Sequence, residues 1–216
     1  MSTAAPAPPG AAVTIFGPVT GLARRYASIL ATRGVERGLL GPREVPRLWD
    51  RHLLNCAVVA ALVPGEAQVV DIGSGAGLPG MVIAMLRPQA AVILLEPMLR
   101  RTVFLGECIA ELGLGNVTVC RARAEDMAGQ IRADVATARA GAPLGRLAEL
   151  SARVIRPGGT ILALKGDRAQ AELDEAGPVI RQLGAQSAEV LRVGHGIVRP
   201  PATVVRIVTA GEARRR

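Results

Sequence analysis

The chain reads as an α/β protein: a mostly parallel, seven-stranded sheet preceded by helices and closed by an antiparallel C-terminal hairpin. Three observations carry that prediction. After Gly65, short apolar runs alternate with longer mixed segments, the rhythm of parallel strands joined by crossover helices. Before Gly65, apolar residues recur at helical spacing instead. At the C-terminal end two strand-like runs flank a Gly/Pro loop too short for a crossover helix, so they are expected to pair antiparallel.

Taken in order, residues 1–12 are Ala/Pro-rich and are predicted to be disordered, because they offer little apolar surface to offset the entropy of ordering. Residues 13–65 form a helical extension. Val19, Leu22, Ala23, Tyr26, Ala27 and Leu30 make the apolar stripe of its first helix, with Arg24, Arg25 and Arg33 on or near the other face. After a Gly/Pro/Arg stretch at 38–46, Trp49, His52, Leu53, Cys56, Ala57 and Ala60 mark a second helix ending near Pro64-Gly65. Residues 66–210 are the main domain, with strands expected at 68–71, 92–96, 117–121, 134–138 and 160–165. Helices are expected at 81–86, 100–112 and 144–155, the hairpin strands at 187–192 and 204–209, and a basic tail at 211–216.

A length of 216 residues suits one domain with a short extension. No apolar run approaches the roughly 18 residues that cross a bilayer, and the N-terminus has no charged-then-apolar signal pattern, so a soluble, cytoplasmic, monomeric protein is expected. Cys56, Cys108 and Cys120 are widely spaced in apolar stretches and read as core residues, with neither a disulfide nor a metal site. The formal charge of +8 implies attraction to polyanions such as nucleic acid. Of 26 basic residues only Lys165 is lysine, which singles out a position needing a compact, orientable ammonium. One Trp, one Tyr and two Phe leave little for base stacking, so shape and phosphate contacts are expected to dominate any RNA binding.

The segment Asp71-Ile-Gly73-Ser74-Gly75-Ala-Gly77-Leu78-Pro79-Gly80 leaves the first strand and enters a helix. Glycine permits positive φ and close approach of a ligand, and in a doubly wound sheet such a turn opens into the crevice at the carboxyl ends of the strands. A dinucleotide fingerprint would need glycine where Leu78 stands, and a Walker A loop would need a following Gly-Lys-Ser/Thr. The order Asp71, Gly73, Gly75, Gly77 instead resembles the first motif of class I S-adenosylmethionine (SAM)-dependent methyltransferases, whose Rossmann-like fold also ends in a hairpin. That resemblance implies SAM as cofactor, held by this turn with Ser74 in it, and Asp71 facing the cationic amino-acid part. Glu96, at the end of the next strand, is placed to accept hydrogen bonds from two ribose hydroxyls. Glu125, just after the third strand, stands where that superfamily contacts the adenine. Glycines that merely close a tight turn are the plain alternative.

A closer resemblance rests on four segments: Arg51-His52, Asp71 to Gly80 with its Gly-Leu-Pro-Gly ending, Thr137-Ala-Arg139-Ala140, and Ala163-Leu-Lys165-Gly166. Together they resemble the RsmG family, also called glucose-inhibited division protein B, from about residue 20 to the C-terminus. The resemblance implies methylation of N7 of a guanine in 16S ribosomal RNA of the bacterial small subunit, near the decoding site. It also implies SAM contacts at Gly73, Leu78, Ala124, Glu125 and Arg139. The chain departs from the family pattern at Asn55, where an aspartate is usual, at Ala140, where an aromatic is common, and at Ala202-Thr203, where a basic pair is usual.

Guanine N7 presents an in-plane lone pair, so such a transfer needs positioning rather than a general base. The chain has no Asn-Pro-Pro-Tyr/Phe motif for exocyclic amines, and no cysteine in a loop at the strand ends. Arg139 and Lys165 follow the fourth and fifth strands and are expected to face the crevice as the catalytic cations, Arg139 touching both cofactor and nucleotide and Lys165 gripping phosphate or guanine O6. An ion pair with a neighbouring carboxylate is the alternative for each. Arg51 and Arg199 are further candidates for RNA contact, and the N-terminal arginines with Arg214 to Arg216 for an electrostatic track. His52, beside Trp49, reads as a hydrogen-bonded core residue. Two other functions remain open at this point: a methyltransferase of another substrate, and a non-catalytic RNA-binding protein that keeps SAM as a ligand.

Overall fold

A computed structural model of the chain describes residues 4–139 and 141–211. Its strands are β1 (Gln68–Ile72), β2 (Ala91–Leu95), β3 (Val117–Cys120), β4 (Ala133–Ala138), β5 (Ile155–Lys165), β6 (Ala185–Val193) and β7 (Ala202–Thr209). They form one sheet in the order β3-β2-β1-β4-β5-β7-β6. The first five run parallel; β7 pairs antiparallel with both β5 and β6. The helices are α1 (Gly10–Phe16), α2 (Thr20–Ile29), α3 (Leu54–Ala60), α4 (Gly80–Leu86), α5 (Leu99–Leu112), α6 (Leu144–Ala152) and α7 (Ala169–Gln182).

Both faces of the sheet are covered, and the strand period of two divides its side chains between them. Val69, Leu94, Leu162 and Val204 pack into one core with residues of α1 to α5. Their neighbours Val70, Leu95, Ala163 and Val205 pack into the other, against Leu144 and Leu147 of α6 and Ala176 and Ile180 of α7. The helical extension is therefore part of one of the two main cores. Cys56 and Cys108 are buried there as expected, whereas Cys120 is only half-buried at the end of the edge strand β3.

Several boundaries differ from the sequence expectation. A disordered tail over 1–12 is corrected for the residues the structure describes: Ala12 is buried, and the indole of Trp49 donates to the carbonyl of Pro6 at 2.8 Å. An apolar ring with one donor is a stronger anchor than an Ala/Pro composition suggests. The helix expected at 144–155 stops at Ala152, because the Val154 carbonyl accepts from Ala133 and Ile155 joins the sheet opposite Ala133. Helix α7 has no counterpart in the sequence reading, since Gly177-Pro178 within it reads as a break. A wide π-helical turn follows α2 at Leu30–Gly34, and another precedes α3 at Leu48–Leu53. Arg214 to Arg216 lie outside the described residues.

The N-terminal arginines are largely engaged in holding α2 to α5. Arg33 pairs with Glu111, Arg37 pairs with Glu107 at 2.7 Å, and the Arg25 guanidinium donates to the Glu111 carbonyl. Among the described residues, no helix is long and apolar enough to cross a membrane.

Helix α2 also reaches the glycine turn. The Tyr26 hydroxyl, fully buried, donates to the Ala76 carbonyl at 2.6 Å. Gly77 has φ +95°, and a Cβ there would lie 2.5 Å from Met81 Cγ and 2.8 Å from the Tyr26 oxygen. Its missing side chain is occupied by protein. Gly77→Ala is expected to cost about 1–3 kcal/mol from overpacking alone, with backbone strain in addition, measured as a lower urea midpoint with an unchanged slope.

Candidate cofactor and substrate site

The strand order reverses between β1 and β4, and at that seam Asp71 stands opposite Thr137 in register. This is where a doubly wound sheet opens a crevice. Asp71 is 0% exposed. Its Oδ2 accepts from the Gly80 N–H and its Oδ1 from the Thr137 hydroxyl, each at 3.1 Å, while the Ser74 hydroxyl donates to the Asp71 carbonyl at 2.8 Å. Burial nevertheless pushes its carboxyl up to about 6, so desolvation outweighs these hydrogen bonds. Asp71, Ser74 and Gly77 thus shape the turn from behind. Asp71 has no exposed surface, and each of its carboxylate oxygens meets one donor within the protein.

The front of the turn is different. Gly73 has φ +67°, and a Cβ added to it would meet nothing within 4 Å. Beside this open strip lies Glu96, just beyond β2 and 1% exposed. Its Oε2 accepts from the Gly75 N–H and its Oε1 from the Met98 N–H, both at 3.0 Å, with Arg101 Nη1 3.5 Å from Oε2. A carboxylate held by two backbone donors keeps further lone pairs for a diol, so Gly73, Gly75 and Glu96 fit the sugar of a nucleoside cofactor. Leu78, in the turn segment, and Ala124 are both buried, Ala124 opening a 3₁₀ turn over Ala124–Met127. Glu125, in the same turn, pairs with Arg146 of α6.

On the β4–β5 side, Arg139 and Lys165 line one cavity of about 800 Å³, together with Arg47, Arg51, Asn55, Arg192 and Arg199. Gly73 is not part of this lining, so the turn and the cation cavity are adjoining regions of the carboxyl edge rather than one chamber. Three carboxylates, Asp50, Asp167 and Glu172, face six cations there. Lys165 is nearly buried and donates to the Ala142 carbonyl at 2.6 Å, with its ammonium 2.8 Å from Glu172 of α7. Lys165 thus has a carboxylate partner and also lines the cavity. Among the described residues no carboxylate pairs with Arg139; its Nη2 lies 2.5 Å from His52 Nδ1, and His52 Nε2 lies 2.8 Å from Glu44 Oε2. Arg51 is exposed, 3.6 Å from Glu44 Oε1.

Sequence reasoning passed over Tyr26, Glu44, Arg47, Glu172 and Arg192. Tyr26 counts as an apolar helix residue until its hydroxyl finds Ala76. Glu44 lies in a Gly/Pro stretch with no periodicity, Arg47 directly follows it, and Glu172 lies in α7, which has no counterpart among the expected helices. A signal existed only for Arg192: alternation in the hairpin strand sets it apart from its apolar neighbours. Among the described residues no group of His, Cys, Asp and Glu side chains is gathered as for a metal.

The raised Asp71 pKa has a pH signature. Between the ordinary carboxyl value near 4 and about 6, the folded chain binds more proton at Asp71 than the unfolded chain does, so this contribution to stability falls as pH rises through that window. Asp71→Asn retains an acceptor for Gly80 and a donor for Thr137. Across pH 4 to 6 the stability of the native chain is expected to fall relative to Asp71→Asn by up to about 3 kcal/mol, read from urea unfolding at each pH.

Comparison with known proteins agrees with this geometry. The model of the family described as rRNA small subunit methyltransferase G, GidB, matches residues 20–198. A ribosomal RNA small subunit methyltransferase G from Thermobifida fusca is 56% identical over 200 residues, covering 93% of this chain and 84% of that one. One of the same name from Streptomyces coelicolor is 52% identical over 210 residues, covering 96% and 88%. Among solved structures, a SAM-dependent O-methyltransferase from Thermotoga maritima superimposes with a TM-score of 0.58 at 14% identity, covering 75% of this chain and 66% of that one. An O-methyltransferase family protein from Burkholderia thailandensis gives 0.59 at 15% identity, covering 94% and 73%. At such identities the structures speak for the fold, which is that of the class I SAM-dependent methyltransferases. With the seam at Asp71, the open glycine turn and matched relatives over most of its length, the chain belongs to the rRNA small subunit methyltransferase G family.

Proposed function

We propose that the chain transfers a methyl group from SAM to N7 of a guanine in 16S ribosomal RNA, acting as a monomer in the cytoplasm on the small subunit or its RNA. The observation that carries this reading is the juxtaposition, at one sheet edge, of an open glycine turn with a buried carboxylate and a cavity rich in cations. The relatives' names supply the substrate class. A small neutral substrate would have no use for six cations around one cavity, whereas a phosphate backbone has.

SAM, when bound, supplies an electrophilic methyl group. Glu96 accepts from the ribose hydroxyls, the backbone at Gly73 and Gly75 admits the ligand, and Leu78, Ala124 and Glu125 flank the base. Arg139 contacts both cofactor and target nucleotide. Lys165, oriented by Glu172 and the Ala142 carbonyl, meets phosphate or guanine O6. Arg51 and Arg199 take RNA phosphates, and Arg47 and Arg192, on the same cavity, join them. N7 carries its own lone pair, so no residue here has to remove a proton. Phe16, Tyr26, Trp49 and Phe104, the whole aromatic complement, are all buried. The target base is therefore gripped without aromatic rings, and guanidinium planes are the available stacking surface.

The decisive test is incubation with labelled SAM and small subunits lacking the modification, followed by mapping of the methylated base; label on no RNA would leave only a SAM-binding protein. Lys165→Ala is expected to lower methyl transfer on the order of 10²-fold with little change in SAM affinity, measured by single-turnover kinetics and calorimetry. Arg47→Ala and Arg192→Ala are each expected to weaken RNA binding regardless of sequence and to reduce the slope of log K against log salt by about 1.

A further inference from the structure

We propose that Glu44 and His52 are positioning residues for Arg139: Glu44 holds His52 as the Nε2–H tautomer, so that Nδ1 is presented as an acceptor that fixes the guanidinium. This rests on the reading of Arg139 as a contact to cofactor and nucleotide, and deepens it.

The direction of each hydrogen bond follows from what the groups can do. A guanidinium has only donors, so at 2.5 Å from Arg139 Nη2 the His52 Nδ1 must carry a lone pair. The ring proton is then on Nε2, where it donates to Glu44 Oε2 at 2.8 Å. A charged ring would set an Nδ1–H against an Arg139 N–H. Burial first, and then Arg139, push the His52 pKa down to about 4, against the opposing pull of Glu44, so the ring is neutral at ordinary pH. The His52 hydrogen bond in turn holds the Glu44 carboxyl below its usual range, with Arg51 adding to the effect. The local fold sets this up: the 3₁₀ turn Pro42–Arg47 carries Glu44, and the π-helical turn Leu48–Leu53 turns His52 inward while leaving Arg51 exposed.

Arg139 is thereby divided. Nη2 is taken by His52, whereas Nη1 is buried with no hydrogen-bond partner among the described residues. The nearby Cys56 thiol, kept protonated by burial with a pKa of about 11, is at most a weak acceptor. A buried, unpartnered guanidinium donor is costly, and it sits on the residue that lines the cation cavity. The relay fixes the orientation of the guanidinium on the wall of that cavity.

The chain has only two histidines, which makes the test direct. Long-range ¹H–¹⁵N correlation on the histidine-labelled protein, assigned with exposed His195→Asn, is expected to show His52 neutral and protonated at Nε2 from pH 5 to 8. A ring protonated at Nδ1, or charged at pH 7, overturns the proposal without recourse to any variant of the relay. In kinetics, His52→Ala and Glu44→Ala are expected to lower kcat by about 10- to 100-fold while the RNA salt slope stays unchanged. His52→Asn, whose Oδ1 can stand where Nδ1 stands, is expected to recover most of that loss, and His52→Gln is not. Recovery by neither, in folded protein, overturns the acceptor role. If Arg139→Ala abolishes transfer while His52→Ala and Glu44→Ala act at the native rate, the relay alone falls. If Arg139→Ala is itself as active as the native chain, the reading of Arg139 falls and the relay with it.

Discussion

A carboxylate with no exposed surface stands at the one place in the sheet where the direction of winding reverses. Asp71 ties the Gly80 amide, at the start of α4, to the Thr137 hydroxyl on β4, and so joins the two halves of the sheet across their seam. Its desolvation is unfavourable enough to raise its pKa to about 6, which means the tie is kept at a cost to the fold. The geometry it secures is that of a site. Glycines 73 and 75 are held open toward the crevice, Gly80 can come within contact of Asp71 and Leu94, and the strand ends that carry Glu96 and Arg139 are fixed relative to one another.

The carboxyl edge is divided by charge. On the β1–β2 side one buried carboxylate, Glu96, is satisfied by backbone amides and suits a neutral diol. On the β4–β5 side arginines and a single lysine surround a wide cavity and suit phosphate. Arg139, just beyond β4, stands between these regions. A nucleoside and a polyanion would be drawn to different parts of one edge, which is the arrangement a group transfer between them requires. The helical extension participates from both ends: Tyr26 supports the glycine turn, and Glu44 and His52 support Arg139. It is a supporting shell for the site as much as a cover for the sheet.

The many arginines do different work according to what lies opposite them. Arg33 and Arg37 meet Glu111 and Glu107 and hold two helices together. Arg51 and Lys165 have carboxylates at hand yet line the cavity, and Arg47, Arg192 and Arg199 line it from three separate segments. A net positive charge shows an attraction to polyanions; it does not say which cations deliver it.

Much of the architecture is written in local pattern along the chain. Alternation and helical spacing marked seven strands and most helices, because burial on one face selects side chains at fixed intervals along the chain. The spacing of Asp71, Gly73, Gly75 and Gly77 marked the ligand turn, because backbone conformation is a short-range property, and Glu96, Arg139 and Lys165 were found because each ends a strand. Whether each of these residues opens to space or packs against protein follows from contacts between distant segments. Gly73 opens to space while Gly77, four residues away in the same motif, is filled by Tyr26 and Met81. Lys165 meets a carboxylate on a helix that Gly177-Pro178 concealed, and Arg139 meets a histidine 87 residues earlier. Those partners are joined only when the sheet closes its order, and no periodicity along the chain records a contact between segments that far apart.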